Sequence, residues 1–219
     1  MRKIRVLVAD DDADTREAIC ILVGAEADIE IVGEAVDGRD VVGRTTTTYP
    51  DVVLMDLRMP GVDGLSATEV LQRTYLSTQV LVLTTFATRK NALDAIRAGA
   101  AGFASKTDPP DMLAEAVRRV ASGDSAVSPR VLRELLDDFR RSGTIPDAPV
   151  PLQGLTEKEV EVLRLVGKGG DNAEISRQLN ISVNTTRTHI AHLRMKLAVN
   201  SRAALAAKAW QHHLCMQLS

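Results

Sequence analysis

Asp56 ends a short apolar run, Val52-Val53-Leu54-Met55, and Asp10-Asp11-Asp12 follows another, Ile4–Ala9. Two strand-like runs that both stop in carboxylates point to one acidic pocket. Clustered carboxylates repel one another unless something cationic fills the gap. Hard carboxylate oxygens with room for water suit Mg²⁺. Thr84 closes a further apolar run, Val80–Leu83, and Lys106 follows Gly102–Ser105. A metal among these groups would offset the repulsion and screen a phosphoryl group arriving at Asp56. Lys106 can pair with such a group as a compact point charge. Taken singly, a strand-end Asp is more often a turn or cap residue, the role expected of Asp12 and Asp14.

A second constellation lies near the C-terminus. A helix over Val183–Leu197, capped by Ser182, puts Thr186, Ile190, Leu193 and Leu197 on one core face. Asn184, Arg187, Thr188, Ala191, Arg194 and Met195 lie on the other side. A shorter helix, Asp171–Leu179, and the turn Asn180-Ile181-Ser182 precede it. Short helix, tight turn and cation-bearing helix make a helix-turn-helix pattern. Its basic groups would supply phosphate attraction and its exposed middle could reach base edges. The competing expectation is a small protein-binding helical domain with merely solvated cations. His212-His213 near Cys215 is expected to be an exposed tail rather than a metal site, because adjacent histidines on a helix point apart.

The elements that must hold these residues follow from the hydropathy pattern. Apolar runs at Ile4–Ala9, Ile29–Ala35, Val52–Met55, Val80–Leu83 and Gly102–Ser105 alternate with amphipathic stretches at Thr15–Ala25, Gly38–Thr46, Leu65–Tyr75, Arg89–Ala98 and Met112–Ser122. Five such βα units predict a parallel sheet covered on both faces. In that arrangement ligands bind at the carboxyl ends of the strands, where both aspartate clusters fall. Asp108-Pro109 reads as the cap and first residue of the fifth helix. Thr45–Thr48 makes a poor helical tail and is expected to be loop, since β-branched residues lose χ1 freedom in helices.

Pro129–Arg141 reads as a helix and Ser142–Pro149 as linker. Thr156-Glu157-Lys158-Glu159 has the capping-box pattern, with Leu155 placed to staple to Val160, and that helix should run to about Val166. A last helix spans about Ser201–Gln211. The domains expected are therefore 1–124, a linker with one helix over 125–151, and a small four-helix unit over 152–219.

Charge divides along the same line. Residues 1–124 carry 14 Lys/Arg against 20 Asp/Glu, a net of −6, and residues 125–219 carry 13 against 9, a net of +4. No acidic residue occurs from Ile175 to Ser219. The split fits an acidic module joined to a polyanion-binding one. Two distant cysteines argue against a disulfide framework, and no signal peptide or membrane span is evident, so the cytoplasm is expected.

Together Val8-Ala9-Asp10-Asp11, Val53–Gly64, Leu83-Thr84-Thr85 and Gly102–Lys106 resemble the receiver domain of bacterial response regulators. Residues 152–211 resemble the LuxR-type helix-turn-helix of the NarL/FixJ group, through Leu155–Leu163, Gly170–Ser176, Ser182–Ile190 and Lys196-Leu197. The resemblance implies a CheY-like doubly wound five-stranded sheet of order 2-1-3-4-5, followed by an all-α helix-turn-helix domain. It implies that Asp56 accepts a phosphoryl group from a sensor histidine kinase. Asp10, Asp11, Asp56 and the Arg58 carbonyl would hold Mg²⁺, with Asp10 acting through water. Thr84 and Lys106 would contact the phosphoryl group, and Thr84 and Phe103 would be the switch pair.

On the DNA side it implies contacts from Asn172, Asn184, Thr185, Arg187, Thr188, Ala191, Arg194 and Lys196. A homodimer would form on activation, with Ala203, Leu205, Ala206 and Ala209 of the last helix at its interface. Operator DNA, the kinase and RNA polymerase are the implied partners. Departures are Asp12, an extra charge at the pocket rim, and Ala173 and Ala191, which predict fewer direct DNA contacts. A charge-driven docking of the receiver over Arg187 is expected in the unphosphorylated state.

Two other functions compete. A phosphoaspartyl hydrolase would want a second acid two residues beyond Asp56, and Arg58 stands there instead. A phosphorylation-independent DNA-binding regulator would leave the pocket vestigial.

Overall fold

In a computed structural model the described residues are 2–75, 77–85, 88–127, 154–199, 202–212 and 214. The chain divides into two units, Met1–Arg141 and Ser142–Ser219. The expected helix at Pro129–Arg141, the linker Ser142–Pro149, His213 and Cys215 all lie outside the described residues.

The first unit strings β1 (Ile4–Ala9), α1 (Ala13–Gly24), β2 (Ile29–Ala35), α2 (Gly38–Thr48), β3 (Val52–Asp56), α3 (Gly64–Thr74), β4 (Gln79–Thr84), α4 (Arg89–Ala98), β5 (Gly102–Ser105) and α5 (Pro110–Ala121). A two-residue β6, Ala126–Val127, follows. The sheet is parallel throughout, in the order β2-β1-β3-β4-β5-β6. This is the expected 2-1-3-4-5 arrangement with one short strand added at the β5 edge, taken from the segment read as linker.

Gly102 permits that addition. A Cβ there would meet the Ala126 carbonyl oxygen at 2.6 Å. Two apolar clusters sandwich the sheet. One joins Leu7, Val53, Met55, Val82 and Phe103 to α2, α3 and α4; the other joins Val8, Leu54, Leu81 and Leu83 to α1 and α5. Strands buried on both faces explain the unbroken Val/Leu runs.

Helix starts are set by aspartates. Asp12, Asp37 and Asp63 accept the amides of Thr15, Asp40 and Ser66, each at 2.8 Å. The fifth helix departs from expectation: it begins at Pro110, and Asp108 instead accepts the Ser105 amide at 2.8 Å, closing the turn after β5. The threonine tail also departs. It is helical, and the Thr45, Thr46, Thr47 and Thr48 hydroxyls all donate to carbonyls three or four residues back. Those bonds give each hydroxyl a partner without breaking the helix, and Thr45 is buried in the core.

The second unit holds α6 (Glu157–Gly167), α7 (Asn172–Leu179), α8 (Val183–Lys196) and α9 (Arg202–Gln211). Both Thr156–Glu159 and Asp171–Glu174 form capping boxes. Val162, Leu163, Ile175, Ile190, Leu193, Leu205 and Ala209 form its core. Leu205 and Ala209, expected at a dimer interface, are fully buried inside this unit. The face of α9 that carries them packs inward, so they are unavailable to a second chain.

Candidate phosphoacceptor pocket and DNA-binding helix

The carboxyl ends of three neighbouring strands converge on the pocket. Ala9 pairs with Met55 and Asp56 with Leu83, so Asp10, Asp56 and Thr84 come off adjacent strand ends. Asp10 and Asp56 are buried, Asp11 is exposed, and carboxylate oxygens of all three lie within 4.8 Å of one another. The loop after β3 folds tightly over the site. A Cβ at Gly64 would meet the Asp56 carbonyl oxygen at 1.9 Å, so only glycine lets α3 start there.

Lys106 reaches in from the β5 end. Its Nζ stands 2.6 Å from Asp10 Oδ2 and 3.2 Å from Asp56 Oδ2. Burial raises the Asp56 carboxyl above its ordinary range and the Asp10 charge adds to that, against the pull of Lys106 and an amide bond from Arg58. The pocket is thus one cation short of neutral. Buried Asp10 Oδ2 accepts no hydrogen bond of good geometry, the lysine reaching it only as an ion pair. An oxygen-rich, net negative set of this kind fits a hard divalent cation.

Thr84 is buried at the tip of β4, and its carbonyl accepts the Lys106 amide at 2.9 Å. Phe103 is 2% exposed and packs in the cluster that includes Ala92 and Ala95 of α4. Asp12, the extra rim charge, is turned to the start of α1. Bonds from the Thr15 hydroxyl and amide hold its carboxyl below the usual range. Sequence reasoning missed Arg16, whose guanidinium bonds the Asp10 carbonyl at 2.8 Å and Glu34 of β2 at 2.9 Å. It clamps the β1 end, and its helical spacing gave no sign of that.

In the second unit, α8 exposes Asn184, Thr185, Arg187, Thr188 and Ala191, and buries Thr186, Ile190 and Leu193. Three expected DNA contacts sit otherwise. Asn172 is 3% exposed, and its amide oxygen accepts from Arg202 at 2.8 Å, so it braces α7 against α9. Lys196 Nζ is held by Glu159 at 2.7 Å and by the Gly154 carbonyl at 3.1 Å. Arg194 is half-buried, and desolvation lowers its pKa. Asn172 and Arg194 are thus taken up by the unit's own packing, while Lys196 stays exposed and is tied to Glu159.

Comparison with known proteins agrees with both geometries. Residues 6–118 match the family described as response regulator receiver domain, and residues 153–209 the luxR family of bacterial regulatory proteins. The transcriptional regulatory protein LiaR of Bacillus subtilis is 36% identical over 211 residues, 96% of this chain and 99% of LiaR. The response regulator VraR of Staphylococcus aureus is 33% identical over 96% of this chain and 98% of its own.

The chain is a response regulator of the receiver–LuxR class.

Among solved structures, the response regulator ChrA of a heme-sensing two-component system aligns over 98% of this chain and 100% of its own, with 33% identity and a TM-score of 0.56. Salmonella typhimurium RcsB aligns over 94% of this chain and 97% of its own at 26% identity, with a TM-score of 0.59. The regulator therefore has the architecture of a transcription factor, and its family consists of transcriptional regulators rather than enzymes. No described helix is long and apolar enough to cross a membrane.

Proposed function

We propose that this regulator is switched by phosphorylation of Asp56 by a sensor histidine kinase, and that the switch controls dimerisation and operator binding. The observation that carries the reading is the Asp56 carboxylate, buried at a strand end with Lys106 3.2 Å away and Asp10 and Asp11 alongside. Asp10, Asp11, Asp56 and the Arg58 carbonyl would hold Mg²⁺, which when bound supplies charge neutralisation for an incoming phosphoryl group. Asp56 Oδ attacks the phosphorus of the kinase phosphohistidine as the P–N bond breaks and the imidazole departs, Lys106 steadies the transferred group, and Thr84 and Phe103 register its arrival. Arg58 stands where a hydrolase would want a second carboxylic acid, which supports a phosphoryl-holding role over turnover.

Residues 1–127 act as receiver, with β6 closing its sheet, 128–151 as linker and 152–219 as the DNA-binding domain. The target duplex implies the cytoplasm, with RNA polymerase a further partner. Operator contact falls to Asn184, Thr185, Arg187, Thr188 and Ala191. Incubation with acetyl phosphate and Mg²⁺, followed by Phos-tag electrophoresis, tests the reading. A shifted band is expected for the wild type and none for Asp56→Asn. An unshifted wild type would sink it.

A further inference from the structure

We infer that α8 selects its operator mainly through thymine 5-methyl groups, read by the stripe Thr188–Ala191–Met195. The inference rests on the DNA-binding role proposed above and names the base chemistry it prefers. Along α8 the core face is Thr186, Ile190 and Leu193, and directly opposite lie Thr188, Ala191 and Met195, at i, i+3 and i+7. Thr188 and Ala191 are exposed, and Met195 is 67% exposed.

None of the three has a free hydrogen-bond donor to offer a base edge. The Thr188 hydroxyl donates back to the Asn184 carbonyl at 3.1 Å, leaving its γ-methyl as the outward group. Ala191 offers a methyl and Met195 a thioether. The cations that flank the stripe are engaged within the unit: Lys196, though exposed, is paired with Glu159, and Arg194 is half-buried. Arg187 stands exposed at one border and His192 at the other.

The stripe itself therefore offers base edges no free donor, and donors come from neighbours such as Asn184 and Arg187. In the major groove the one apolar mark is the thymine 5-methyl group. The absence of any carboxylate from Ile175 to Ser219 fits a polyanion, not an apolar protein partner, as the occupant of this face.

The test is site selection from a random duplex pool with the beryllofluoride-treated full-length protein, followed by replacement of each selected thymine with deoxyuridine. Removing one methyl contact should weaken binding about fourfold, at no fewer than two positions per half-site. Thr188→Ser keeps the hydroxyl bond and deletes the methyl; it should abolish the deoxyuridine effect at one position, and Met195→Ala at another. Sites that lack thymine, or that tolerate deoxyuridine everywhere, overturn the inference alone. The same holds if both variants keep the wild-type deoxyuridine penalties. A pool that enriches no sequence would remove the DNA-binding reading along with it.

Discussion

Lys106 decides how tolerable the pocket is without metal. Its ammonium lies within ion-pair distance of two buried carboxylates, and its own side chain is 14% exposed. Removing one partner of such a group leaves the others uncompensated in low dielectric. Lys106→Ala is therefore expected to cost about 3 kcal/mol of receiver stability in chelator-treated buffer. Much of that loss should return with millimolar Mg²⁺, because a divalent cation bound to the folded state alone stabilises it by mass action. Urea denaturation with and without Mg²⁺ measures both. An equal loss in the two buffers would mean that the lysine serves packing rather than charge. Asp56 and Lys106 were legible in the sequence because each follows an apolar run at a strand end. Arg16 was not, since its partners Asp10 and Glu34 come together only when β1 and β2 pair.

At the scale of elements, unbroken Val/Leu runs located β3 and β4, because a strand covered on both faces cannot alternate, whereas β2, Ile29–Ala35, lies at the sheet edge and carries exposed Glu30 and Glu34 within its run. The family resemblance placed Leu205 and Ala209 of α9 at a dimer interface, but they belong to the unit's own core. The threonine tail of α2 was misjudged because a rotamer loss of only about half a kcal/mol per residue was weighed against no tertiary packing, whereas Thr45 is buried. Thr46 and Thr47 are exposed. Each replaced by alanine should raise receiver stability by about 0.5 kcal/mol, and a decrease in the denaturation midpoint would show that the hydroxyl bonds matter more than propensity.

Glu159 joins α6 to α8: it caps its own helix at Thr156 and bonds Lys196, 37 residues on. The Lys196 bond and the Thr156 amide hold its carboxyl down to about 2, from an ordinary value of 4.5. A depressed acid contributes stability above its unfolded pKa and loses it as pH falls through the folded one. Glu159→Gln should thus destabilise the second unit by roughly 1–2 kcal/mol at pH 7. The gap from wild type should narrow as pH drops from 4.5 towards 2. Hydrogen exchange at the α6 and α8 amides reads this unit's unfolding within the full chain. A gap independent of pH would assign the effect to packing.

Across the whole molecule, the charge division and the break near residue 150 made two modules legible before any coordinates. The boundary itself was less so. Ala126 and Val127 belong to the receiver sheet rather than to the linker, a pairing that two small residues could not announce. The proposed function gives the two units complementary chemistry, a pocket that would gain negative charge and a helix that would meet it in DNA. Coupling between them is the central claim. The most direct measurement is the affinity of the full-length regulator for its selected operator, by fluorescence anisotropy, with and without acetyl phosphate and Mg²⁺. Wild type should bind at least about tenfold more tightly when phosphorylated, and Asp56→Asn should bind equally weakly in both conditions. Equal affinity for phosphorylated and unphosphorylated wild type would contradict the account.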